Sequence, residues 1–342
     1  MFCLFIASFA VSAEEIHING QTGNDSNPGS LTQPIRTLNE AARRVNVNYT
    51  KEAATLLLAA GVYDLTQTAL FMNPKFTANE RLTIKAEIMP DDANWTPQQM
   101  PIIAAMIPMV LSPFGDEMAK GIEIETSHVT IGGLRFVGEP AYYYIDGKHA
   151  RCYYPIWREG KSLDDLLVTQ CMFTGNHDVA PVRVAVIANG NGLVLDHDVF
   201  YNCENSVVFW DGDGGKSTGN AMKYCLVYGN NYSGVWTTDG TAEDFDFHHN
   251  IISSGHIAWI RDNEKQHYSG HDAIFTANEF IAGFGNDKNG TSGLAGSSDL
   301  LKAKNIRTEG KIEIEKDQSK RNYLQLKEGS FGQDLKAGLF KN

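Results

Sequence analysis

Charged side chains gather at the ends of five short apolar runs: YPIWREG (154–160), VRVAVIANG (182–190), VVFWDGDGG (207–215), SGVWTTDG (233–240) and HIAWIRDN (256–263). They are Arg158, Glu159, Asp211, Asp213, Asp239, Arg261 and Asp262, and four of the five tryptophans (Trp157, Trp210, Trp236 and Trp259) stand beside them. Indole faces pack on pyranose rings, so Trp210 and Trp236 are expected to touch a sugar. If Asp211 and Asp239 sit on adjacent strands, their carboxyls are about 5 Å apart, the spacing of a retaining glycosidase pair; a gap near 10 Å is closer to an inverting pair. Asp211, Asp213 and Asp239 equally suit Ca²⁺, which takes oxygen ligands. Such a cation would neutralise a uronate carboxylate and acidify the neighbouring C–H. Lys216 or Arg261 is then the expected base. Arg158 suits a bidentate clamp on a substrate carboxylate. His267 and His271 flank a longer turn after Arg261, and His271 is expected to overhang the same groove. Asp-Gly at 211–212 and 239–240 is also ordinary turn chemistry, and strand alternation must turn some of the tryptophans inward.

Something must bring these runs side by side, and the chain repeats. The segments VTQCMF (168–173), LDHDVF (195–200), MKYCLV (222–227), FHHNII (247–252) and FTANEF (275–280) align. Their equivalent residues, Cys171, Asp198, Cys225, Asn250 and Asn278, are 27, 27, 25 and 28 residues apart. Strand-sized runs punctuated by Asn, Gly and Asp read as β. No stretch from 160 to 290 carries a helical period, which disfavours alternating βα units. Three short strands and three turns per repeat make one coil of a solenoid, with equivalent strands about 4.8 Å apart in parallel register. Asn250 and Asn278 are then expected in a hydrogen-bonded ladder. Cys171 and Cys225 fill the same column two coils apart, about 10 Å, too far for a disulfide.

The N-terminal stretch IHINGQTGNDSNPGSLTQPIRTLNEAARRV (16–45), followed by TLLLAAGVYDL (55–65), RLTIKAE (81–87), PII (101–103) and HVTIGGLRFVG (128–138), resembles the opening coils of the pectin lyase-like superfamily. The tail NYLQLKEGSFGQDLKAGLF (322–340) resembles its terminal segment. The resemblance implies an all-β fold, a single-stranded right-handed parallel β-helix over 14–342 with a short capping helix at about 37–46. It also implies a carbohydrate-active enzyme cleaving an acidic polysaccharide, by β-elimination or by hydrolysis. The hydrolase set of NTD, DD, GHG and RIK is absent. The alginate and chondroitin lyases resemble GGKSTGNAMKYCLVYGN (214–230), which places their lysine near Lys216, but SGVWTTDG offers no counterpart to their arginine. One fold hosts many chemistries, so a non-catalytic glycan-binding or scaffold protein is the competing expectation.

The rest of the sequence bounds the partners. Met1–Ala13 is apolar and ends in small residues, the pattern of a signal peptide, which predicts a secreted or periplasmic protein; it is too short to span a bilayer. A formal charge of −12 over 342 residues disfavours nucleic acid. The chain is expected to act as a monomer. Tyrosines crowd AYYYIDGKHARCYYPIW (141–157), an insertion of roughly ten residues that reads as a lid or an edge cover. His197, His248 and His249 fall on another strand column, away from the groove. There they read as surface or ladder residues, without the defined three-ligand spacing of a metal motif.

Overall fold

Short runs such as Leu166–Thr169 and Leu193–Asp196 turn alternate residues inward: Leu166, Val168, Leu193 and Leu195 are buried, while Leu167 and Val194 between them are half-buried. The computed structural model describes residues 14–47, 53–108, 110–111, 117–138, 151–210, 215–262, 268, 270–284, 293–295 and 304–342. It is a right-handed parallel β-helix. One coil runs through Leu166–Thr169, bends, continues through Met172–Thr174, and crosses to Val184–Ala188 before climbing to the next. The first two strands of each coil stack into one sheet with two arms, and the third stacks into a second sheet. Leu166 pairs with Leu193, Met172 with Val199, and Val186 with Val207, all in parallel. Among the described strands, antiparallel pairing joins only Val110–Leu111 to Glu117–Ile124 and Gly293–Ala295 to Phe280–Phe284, beside isolated antiparallel bridges such as Ile314 with Leu326.

The bend between the two arms is built from left-handed residues. Gly133, Gln170, His197, Tyr224, His249 and Asp272 all have φ between 51° and 68°. Non-glycine residues adopt this region rarely, so its recurrence at one corner marks a geometry that every coil needs. Inside the corner lies the ladder. The Asp198 carboxylate accepts from the Cys171 N–H at 2.8 Å, and Asn250 Oδ1 accepts from the Cys225 N–H at 2.9 Å. Both cysteines are buried free thiols, and burial pushes their pKa well up. The file ends differently from the expectation. Ile251 pairs with Ile274, so Ala273 follows Asn250, 23 residues on. Asn278 belongs to the next corner, where its Oδ1 accepts from the Gly255 N–H. The physical reason is a shortened coil, in which the continuous strand Gly270–Thr276 pairs with both arms of the coil before it.

Apolar files fill the interior. Phe136, Phe173 and Phe200 stack with centroids 4.9 and 5.0 Å apart. The helix Leu38–Val47 lies where the sequence placed it and buries Leu38, Ala41, Ala42 and Val45 against the first coils. Asp25 accepts from the N–H groups of Arg36 and Thr37, fastening the glycine-rich loop to the helix start. At the other end the chain doubles back. Ile312, Ile314, Tyr323, Leu324, Leu335, Ala337 and Leu339 cover the outer file Met172, Val199, Leu226, Ile251 and Ile274. No helix among the described residues is long and apolar enough to cross a membrane.

Candidate functional site

Alternation along the second sheet decides which candidate side chains reach solvent. Register places Trp157, Ile187, Val208 and Trp236 in one file. The next file is Arg158, Ala188, Phe209, Thr237 and Arg261. Ala188 and Phe209 belong to the interior core, so this second file faces inward. Arg158 and Arg261, expected as a substrate clamp and a base, are each 2% exposed and form part of the solenoid wall. Arg158 Nε donates to the Asn189 carbonyl at 2.7 Å. Burial, opposed by Asp164 and Asp165, lowers its pKa to about 10, so it stays cationic at neutral pH. Trp259 pairs with Val235, one position out of the tryptophan file. It points inward and donates Nε1 to Thr237 Oγ1 at 3.0 Å.

Three tryptophans do line the outer face. Trp157 packs with Val184, Ile187 and Val208, and Met118, Tyr154, Trp210 and Trp236 pack against that cluster. Trp157 meets Trp210 edge-to-face at 5.6 Å and Tyr154 at 4.9 Å. The indole N–H groups point to carboxylates: Trp157 to Glu159 Oε2 at 3.0 Å, Trp236 to Asp262 Oδ1 at 2.7 Å. Beside Trp157 lies a charged knot that sequence reasoning missed. Lys120 Nζ donates to Glu123 Oε1 at 2.5 Å and to Glu159 Oε2 at 3.3 Å. It also lies 4.5 Å from the Trp157 ring centroid. Lys120 and Glu123 come from Glu117–Ile124, whose alternation is interrupted at Gly121. A Cβ there would stand 2.7 Å from the Pro155 carbonyl oxygen. That close approach requires glycine and lets two residues three apart meet on the outer side. The signal was legible as a glycine between charged residues in EMAKGIEI.

No family model and no curated protein matches the sequence. Among solved structures, the chain superposes on the selenomethionine derivative of a GH136 lacto-N-biosidase from Eubacterium ramulus with a TM-score of 0.53. The two are 7% identical over 86% of this chain and 68% of that one. The native form of the same enzyme gives 0.50, with the same identity and coverage. A rhamnogalacturonan lyase gives 0.48 at 12% identity, with 87% of each chain covered. The chain has the pectin lyase-like fold. At these identities the likeness is one of fold, and chemistry has to be argued from side chains.

On this pectin lyase-like solenoid the other predicted residues scatter. Asp211 and Asp213 lie outside the described residues, as do His267 and residues 141–150 of the tyrosine-rich insertion. Asp239 is exposed in the turn after Ser233–Thr237, and Lys216 is exposed one coil earlier. The structure brings these two turns together: the Ser217 N–H donates to the Gly240 carbonyl at 2.9 Å. His271 does not overhang the tryptophan face. It lies on the first sheet, in register with His248, because the shortened coil moves its strand into that wall.

Proposed function

We propose that the chain is a secreted glycan-cleaving enzyme. It holds an acidic polysaccharide along the outer face of the second sheet and hydrolyses a glycosidic bond between Glu123 and Glu159. The observation that carries this reading is the Lys120 knot. Contacts of 2.5 and 3.3 Å to one ammonium keep the two carboxylate oxygens within about 6 Å, against about 5–5.5 Å for retaining pairs. Glu159 Oε2 accepts from both Lys120 and Trp157, which orients it as the nucleophile toward an anomeric carbon. Once an anionic substrate draws Lys120 away, Glu123 is the carboxyl left to carry a proton to the leaving oxygen. Water then hydrolyses the glycosyl–enzyme bond, with Glu123 as the base. Trp210 and Trp236 would stack on flanking sugar rings. Lys120 supplies positive charge for an anionic substrate, and Asp239 is the described member of the expected calcium set.

The test incubates the full chain with acidic and neutral polysaccharides, with calcium and with chelator. New reducing ends and ultraviolet absorbance are read together. Hydrolysis gives reducing ends without an unsaturated product. Glu123→Gln and Glu159→Gln should each lower kcat by about 10²–10⁴-fold while sugar binding survives. Ultraviolet-absorbing product would replace hydrolysis by elimination. Wild-type binding without turnover would leave a glycan-binding module.

A further inference from the structure

On the first sheet, far in register from the tryptophan face, imidazoles accumulate on the outside of the corner. His248 and His271 are register partners on adjacent coils and stack at 5.0 Å with planes 10° apart. His249 and Asp272 occupy the left-handed corner positions that follow them, with φ of 56° and 51°. His249 meets His271 edge-on at 5.7 Å and has Tyr224 on its other side at 4.7 Å. Asp272 Oδ2 lies 2.8 Å from His271 Nδ1. Its Oδ1 accepts from Asn305 Nδ2 at 2.9 Å, which fixes the carboxylate. One nitrogen from His249, one from His271 and one oxygen from Asp272 all lie within 4.8 Å of one another.

We propose that His249, His271 and Asp272 bind one transition-metal dication of the zinc class. Three protein donors of this kind with an open fourth position are a known zinc arrangement. Two imidazoles with one carboxylate favour Zn²⁺, Co²⁺, Ni²⁺ or Cu²⁺ over Ca²⁺ and Mg²⁺, which prefer all-oxygen sets. Bonds of about 2.0–2.1 Å in a tetrahedron put donors about 3.4 Å apart. The donors lie within 4.8 Å of one another, so a bound ion would draw them closer, His249 leaving its 3.0 Å contact with His248 and the half-exposed His271 moving with it. Asn305 acts as the outer partner that holds a ligating carboxylate in place. The ligands come from two successive coils, so a bound ion would also pin those coils together.

The experiment uses the untagged full chain after chelator treatment. Co²⁺ is titrated in while its visible absorption is followed, and Zn²⁺ is then added in competition. One equivalent of Co²⁺ should give an intense tetrahedral-type band that Zn²⁺ bleaches. His249→Ala and His271→Ala should weaken binding about 100-fold or more, and Asn305→Ala about 10-fold. His197→Ala, on an earlier coil of the same corner, should bind as wild type does. Circular dichroism verifies the fold of each variant; Asp272→Asn, nearly isosteric, supplies the same test if a histidine variant misfolds. Binding well below one equivalent, or full binding by the His249→Ala/His271→Ala double variant, would overturn the site.

Discussion

Two outer walls of this solenoid are apolar, and the chain treats them differently. Met172, Val199, Leu226, Ile251 and Ile274 lie at 0–1% exposure because the C-terminal segment packs across them. Among the described residues, the cluster on the tryptophan wall of the second sheet contains no residue of the C-terminal segment; its members come from the sheet's own strands, except Trp210, which directly follows Asn205–Phe209. The residue types differ accordingly. The covered wall is aliphatic, with no polar atom to satisfy. The open wall uses indoles whose N–H groups are engaged by Glu159 and Asp262 at the rim. Indoles tolerate water at one edge and present a large flat face to a partner. Around the buried Trp157, Val184, Ile187 and Val208, this wall keeps Tyr154, Trp210 and Trp236 partly exposed. Of the two walls, the one that keeps indoles partly at its surface is the one we assign to a ligand.

The comparison can be broken most directly by truncating side chains on each side. Leu339 is fully buried, and Leu339→Ala should cost about 2–5 kcal/mol in urea denaturation, with increased binding of a hydrophobic dye. Trp236→Ala on the open wall should cost well under half as much stability. It should instead weaken glycan binding about tenfold, near 1.4 kcal/mol, by calorimetric titration. Equal destabilisation by the two substitutions would mean that both walls are simply core.

A third measurement concerns the corner that leads into the covered wall. Asp198 is fully buried, and burial raises its pKa well above the carboxylate range. The folded state therefore binds this proton more tightly than the unfolded state does. The stabilisation is complete below about pH 3.9, the unfolded value, and is lost as pH rises beyond it. Asn250 holds the equivalent place two coils further on, donating Nδ2 to the Met222 carbonyl at 2.7 Å. Asp198→Asn should thus gain about 1 kcal/mol at pH 7 and almost nothing at pH 3. A pH-independent difference would show that Asp198 does not titrate across the transition.

Much of this was legible in the sequence, and the reason is periodicity. Cys171, Asp198, Cys225 and Asn250 could be aligned because each must fill the same corner. The helix, found at Leu38–Val47, was expected at about 37–46 from the resemblance of the N-terminal stretch and not from a period. Asn278 misled because it too is an asparagine at a corner, only the following one, and a coil of 23 residues broke the count. The site was harder. Arg158 and Arg261 look like surface cations in sequence, and only register shows that they share a file with Ala188 and Phe209. Lys120 reaches both Glu123 and Glu159 through an irregularity at Gly121, which no period encodes. The histidine cluster joins residues over 20 positions apart through a shortened coil, so its spacing matched no metal motif.

The smallest expected effect tests what kind of force holds the cover. Lys341 Nζ lies 2.7 Å from Asp196 Oδ2, with the lysine side chain 35% exposed. Burial raises the Asp196 pKa, but His197 and Lys341 outweigh it and bring it down to about 2. A depressed carboxylate stabilises above the ordinary aspartate range and loses that contribution as pH falls through about 2. Lys341→Met keeps the aliphatic stem and removes the charge. It should cost only about 0.2–1 kcal/mol at neutral pH, as ion pairs near the surface do, and less in high salt. The acid end of the stability profile should also flatten, because Asp196 then titrates nearer its unfolded value. If instead the variant lost as much as Leu339→Ala, the tail would be held by charge. The aliphatic file beneath it would then be a consequence of coverage and not its cause.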